Sequence, residues 1–134
     1  MNILLDTHIL IWSMLDSCSL SAKARNIIVQ NRYTLYYSIV SIWEIAIKHK
    51  LHPENLLSSG QDVVNLCQEA NVRLLPLKTG HIAAFENLSR HGDATSHKDP
   101  FDQIIISQAI AENMVFMTHD KTLQYYCDVN ILLV

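Results

Sequence analysis

Apolar residues follow two rhythms along this chain. Short unbroken runs alternate with longer stretches in which they recur at helical spacing. Asn2–Asp6 reads as a buried strand, and Thr7–Leu15 as a helix entered through the Thr7 hydroxyl. Ser21–Asn31 is a second amphipathic helix. Tyr33–Val40, rich in β-formers, is a second strand, followed by a helix over Ser41–Lys50 that stops before Pro53. Gln61–Ala70 predicts a helix, Val72–Leu77 a third strand, and Thr79–Arg90 another helix. His91–Lys98 is the longest candidate loop. Pro100–Glu112 is a helix, Met114–Thr118 a fourth strand, Lys121–Tyr126 a short helical turn, and Asn130–Val134 a fifth strand.

Strands alternating with helices imply parallel pairing through right-handed crossovers. Continuous apolar strands suit a sheet covered on both faces. The expected fold is therefore α/β: a three-layer α/β/α sandwich around a mostly parallel five-stranded sheet, built as one domain over residues 1–134.

Composition narrows the possibilities. A chain of 134 residues can hide roughly 68% of its unfolded surface, enough for its own core. With 49% hydrophobic and 17% charged residues it is no disordered linker. Ten Lys+Arg against thirteen Asp+Glu give −3, which excludes a uniformly basic surface but not a local nucleic-acid patch. Cys18, Cys67 and Cys127 stand far apart, suggesting reduced packing thiols rather than a zinc site or disulfide framework. The apolar stretch Ile3–Leu15 lacks a basic leader and contains Asp6 and His8, so neither a signal peptide nor a membrane span is expected. The expected location is the cytoplasm.

In open parallel sheets, ligands bind beyond the carboxyl ends of the strands, where the strand order reverses. Asp6 ends the first strand, and Asp120 follows the fourth. Glu44 lies one turn into the helix leaving the second. Asp102 can join them if its helix starts at the same edge. Two carboxylates ~5 Å apart repel by about 3 kcal/mol at an effective dielectric of ~20. A cation among them, or protonation of some, would relieve that cost. Oxygen-only ligands suit Mg²⁺ or Mn²⁺, and the matching chemistry is metal-assisted hydrolysis of a phosphodiester.

Each acid also has a plainer role. Glu44 could close a capping box with Ser41, three residues earlier. Asp99 before Pro100 fits an N-cap, Asp102 a first-turn acid, and Asp120 a turn initiator. Asp6, abutting a buried strand, has no comparable capping explanation. Joint placement carries the case.

At these residues the sequence resembles the PIN-domain nucleases, and within them the VapC-like toxin ribonucleases of type II toxin–antitoxin pairs. LLDTHILIW (Leu4–Trp12), SIVSIWEIAIK (Ser38–Lys48), HKDPFDQIIISQAI (His97–Ile110) and FMTHD (Phe116–Asp120) resemble the four family motifs, in order across essentially the whole chain. The resemblance implies a four-acid site carried by Asp6, Glu44, Asp102 and Asp120, with Asp99 as a supporting acid behind them or an alternate ligand. It also implies Mg²⁺ or Mn²⁺, endonucleolytic cleavage of RNA, a cognate antitoxin and a homodimer. Gln103 stands where this branch usually has Arg.

Other residues are open to two readings. His8, His97 and His119 lie within two residues of a motif acid and could orient it or meet a phosphate; packing or capping is the alternative. His49 and His52 read as a cationic helix end, and His81 and His91 as exposed. Trp12 and Trp43 read as core or dimer aromatics rather than base-stacking platforms. Thr7, Ser38 and Thr118 could bind carboxylates or act as caps. Lys48, Lys50, Lys98 and Lys121 are candidate phosphate contacts. Without the four acids the formal charge of −3 becomes +1, which does not repel RNA. The competing function is a non-catalytic α/β binding module, either an interaction partner or a phosphoacceptor receiver. A receiver would show adjacent acids after its first strand, where Asp6 stands alone.

Overall fold

The computed structural model describes residues 1–54, 58–91 and 99–134. Side chains alternate along the first strand, β1 (Asn2–Leu5), and this sorts the core into two halves. Ile3 and Leu5 point to one half with Ile9, Leu10, Ala24, Val63 and Cys67; Leu4 points to the other with Ile105, Ile106, Phe116 and Leu123.

Four further strands, β2 (Thr34–Ser38), β3 (Arg73–Leu75), β4 (Val115–Thr118) and β5 (Asn130–Leu133), complete a sheet of order β3-β2-β1-β4-β5. Every neighbouring pair is parallel, so "mostly parallel" becomes wholly parallel. Helices α1 (Thr7–Met14), α2 (Ala22–Val29) and α4 (Gly60–Glu69) supply the first half-core, joined by Ile45 of α3 (Ile39–Leu51). α6 (Pro100–Ala111) covers the opposite face, with α5 (Thr79–Glu86) packed on it. The three-layer α/β/α reading holds.

With three glycines in the chain, asparagine makes the helix-to-strand turns. Asn31, Asn71 and Asn113 have φ of 54°, 59° and 55°, each just beyond a helix cap. After α6, Asn113 N donates to Ile110 O and Met114 N to Ala109 O, satisfying carbonyls the helix leaves open. Gly60 answers a different need. A Cβ there would lie 3.2 Å from the Ile42 carbonyl oxygen, so its absence lets α4 start against α3.

Two helix starts differ from expectation. Asp6, not Thr7, caps α1, its Oδ1 accepting from Thr7 N at 2.7 Å. α3 begins at Ile39 under Ser38, so Ser41 and Glu44 lie inside the helix and form no capping box. β3 is an exposed edge strand with only Leu75 buried, rather than a buried run. Most of the expected loop His91–Lys98, including His97 and Lys98, lies outside the described residues. No described helix is long and apolar enough to cross a membrane.

Candidate active site

The strand order reverses between β1 and β4, and the register brings residues from both to one edge. Leu5 pairs with Met117 on one side and Tyr37 on the other, so Asp6, Thr118 and Ser38 follow at neighbouring strand ends. This is the crevice expected of a doubly wound sheet.

Asp6 is 5% exposed, and both its oxygens are engaged. Besides the Thr7 amide at Oδ1, the Thr118 hydroxyl donates to Oδ2 at 2.6 Å. That hydroxyl also accepts from Asp120 N at 3.0 Å, so one threonine ties the first acid to the fourth. Asp120 caps the 3₁₀ turn Lys121–Tyr125, accepting from Thr122 N and Oγ1 at 2.9 and 2.7 Å. Burial pushes the Asp6 carboxyl above its ordinary range, with its two hydrogen bonds and His8 opposing the shift.

Glu44 is 7% exposed. Its Oε2 accepts from Lys48 Nζ at 3.0 Å, whereas Oε1 is buried with no hydrogen-bond partner among the described residues. A buried carboxylate oxygen left this way is costly unless something positive faces it. A hydrogen bond of 2.8 Å between the Thr7 and Ser41 hydroxyls joins α1 to α3, three residues before Glu44.

Asp102, in the first turn of α6, senses the whole group. Burial pushes its carboxyl up to about 8, and the charges of Asp6, Asp99, Glu44 and Asp120 push the same way. The four predicted acids therefore share one electrostatic neighbourhood, as does Asp99. They do not form a ready-made cage. Among the described residues, no three His, Cys, Asp or Glu side chains stand together closely enough to hold an ion. Asp99 is exposed and caps α6, accepting from Phe101 N at 2.9 Å. Gln103 hydrogen-bonds the buried Tyr126.

Around the acids, Trp12 is half-buried between two imidazoles. It stacks on His8 at 5.6 Å and meets His119 edge-on at 5.5 Å. Trp43 is 61% exposed, so it is not a core residue, and meets Phe101 edge-on beside an apolar cleft. His81, expected at the surface, is fully buried: its ring accepts from Lys78 N at 3.0 Å and lies 2.8 Å from Glu112 Oε2. Sequence reasoning also passed over Gln108, buried beside it. The available signal was the Ser-Gln pair interrupting the apolar run Ile104–Ile110.

The acids thus approach the switch point of an α/β/α sandwich, the edge at which doubly wound folds bind their ligands. The chain belongs to the PIN domain family, which matches residues 3–129. Its fold is shared with chains of three solved VapBC structures. VapBC2 from Rickettsia felis, bound to a DNA fragment from its promoter, aligns with a TM-score of 0.71 at 13% identity, covering 99% of this chain and 98% of that one. DNA-bound VapBC from Salmonella typhimurium gives 0.69 at 14%, covering 98% and 97%. VapBC-1 from nontypeable Haemophilus influenzae gives 0.66 at 18%, covering 99% and 98%. Among curated proteins none matches the sequence significantly.

Proposed function

We propose that this protein is a divalent-cation-dependent endoribonuclease of the cytoplasm, the toxin of a toxin–antitoxin pair, with Asp6, Glu44, Asp102 and Asp120 as its acidic site. The observation that carries this reading is geometric: Asp6 and Asp120 share the Thr118 hydroxyl at the switch point, and the buried Glu44 Oε1 has no hydrogen-bond partner among the described residues. Oxygen donors alone suit Mg²⁺ or Mn²⁺. Such a cation offsets charge on phosphate oxygens and makes water easier to deprotonate.

The chain's own residues set the stage. A carboxylate has about four lone-pair positions. Asp6 spends two on Thr7 and Thr118, which fixes its orientation and leaves two for a cation. Asp102, its carboxyl raised to about 8 by burial and the neighbouring acids, would have to release its proton to solvent to serve as a ligand. Lys48 neutralises Glu44 otherwise, and Lys50 and Lys121, both exposed, are available to an RNA backbone. Asp99 stays at the rim, capping its helix. The likeness to VapBC complexes supports an antitoxin partner. A homodimer belongs to the same reading, with exposed Ile39 and Trp43 of α3 as apolar side chains a second copy would cover.

The deciding experiment incubates purified protein with labelled RNA and Mg²⁺, with and without EDTA. Cleavage that the chelator stops is expected; RNA binding without any cut would favour a non-catalytic module. Co-expression with the adjacent small open reading frame is expected to relieve growth arrest.

A further inference from the structure

A chain of buried polar groups runs away from the acids and has no part in the reading above. It starts at Ser38, whose hydroxyl caps α3 by accepting from Val40 N at 3.0 Å and donates to Gln108 Oε1. The Gln108 amide donates to Pro76 O at 3.3 Å and lies 3.4 Å from His81 Nδ1. Nδ1 accepts from Lys78 N, so the ring proton sits on Nε2 and is donated to Glu112 Oε2. Glu112 caps α6 and reaches the surface, 3.9 Å from Lys78 Nζ. Ser38, His81 and Gln108 are each 0% exposed.

Apolar side chains would fill the same space without removing polar groups from water. Polar partners add something apolar packing lacks. An apolar contact tolerates sliding, whereas a directional hydrogen bond in a low dielectric fixes one register. The placement gives that register a consequence. Ser38, the last residue of β2 and the N-cap of α3, precedes Glu44 by six residues, and Gln108 follows Asp102 by six on α6. Their hydrogen bond therefore locks the two helices that carry the second and third acids. Gln108 is held in turn by Pro76 and His81, and His81 by Lys78 and Glu112.

We infer that Ser38, Gln108, His81 and Glu112 form a positioning relay that sets the spacing of Glu44 and Asp102 for a divalent cation. This rests on the nuclease reading. None of the four touches substrate; they act through the helices. Groups hydrogen-bonded directly to metal ligands typically contribute 10–100-fold to metal affinity or activity, and residues acting through the helices are expected at the lower end, about tenfold.

The test compares Gln108→Leu, Glu112→Leu and Glu112→Gln with wild type, following Mg²⁺ binding by calorimetry beside RNA cleavage and thermal melting. Gln108→Leu and Glu112→Leu are expected to melt cooperatively, to need about tenfold more Mg²⁺ for half-saturation, and to lose kcat with little change in KM for RNA. Glu112→Gln keeps an acceptor for His81 Nε2–H and is expected to match wild type. If Gln108→Leu does not fold, the Glu112 pair decides. Leucine variants that bind Mg²⁺ at the wild-type midpoint would overturn the relay while leaving the nuclease intact. Wild-type protein that neither binds Mg²⁺ nor cuts RNA overturns the nuclease reading and the relay with it.

Discussion

The Thr118 hydroxyl donates to Asp6 Oδ2 at 2.6 Å while accepting from the Asp120 amide at 3.0 Å. It joins the end of β1 to the turn after β4, and it does so in full burial. Thr118→Val keeps the shape but strips one donor from a buried carboxylate, at a cost of about 1–3 kcal/mol. Thr118→Ser keeps the hydroxyl and is expected to lose less. Thermal denaturation of the two variants checks this; equal melting temperatures would deny the bond any importance.

Asp6 both caps α1 and belongs to the proposed site, and substitution separates the roles. Asparagine caps about as well as aspartate, whereas alanine costs about 1 kcal/mol. Asp6→Asn keeps the cap through its one oxygen while its amide group must face Thr118 Oγ1 as a donor, so a stability close to wild type, with relieved repulsion offsetting the altered Thr118 bond, and a loss of RNA cleavage are expected. Asp6→Ala is expected to lose both. Undiminished cleavage by purified Asp6→Asn would remove Asp6 from the site.

Asp102 predicts a pH dependence of definite sign. Its carboxyl stays protonated in the folded protein up to about 8, but ionises near 3.8 when unfolded. The folded state therefore holds the extra proton between those values, and this residue's contribution to stability falls as pH rises through that window. Cation binding must displace the same proton. Apparent Mg²⁺ affinity is expected to rise up to about tenfold per pH unit below 8 and to level off above it. Mg²⁺ titrations at several pH values check this, and Asp102→Asn is expected to flatten the slope.

Lys48 and a cation compete for Glu44. The lysine is half-exposed, so its ion pair contributes at most about 1 kcal/mol. Lys48→Met is expected to melt slightly lower without Mg²⁺ and to gain more than wild type when Mg²⁺ is added. A smaller Mg²⁺-induced rise in the variant would point to Lys48 helping the cation rather than replacing it.

Much of this was legible in the residue order, because the responsible physics is local. Ser21 and the Asp99–Pro100 pair mark helix starts through their own backbone chemistry, and both hold. Apolar runs between helical stretches are enough for a parallel sheet, and the acids fall at the ends of those runs. Other features depend on partners distant in sequence. That Asp6 caps α1, that Ser38 rather than Ser41 starts α3, and that His81 is buried follow from what each side chain meets across the fold. Thr118 is 112 residues from Asp6, and Glu112 is 31 from His81. Residue order alone says which carboxylates exist and which strand or helix carries each. Folding is what buries Asp102 and brings four other carboxylates near enough to raise its proton affinity further, because desolvation and Coulomb energy depend on position in space, and packing sets that position.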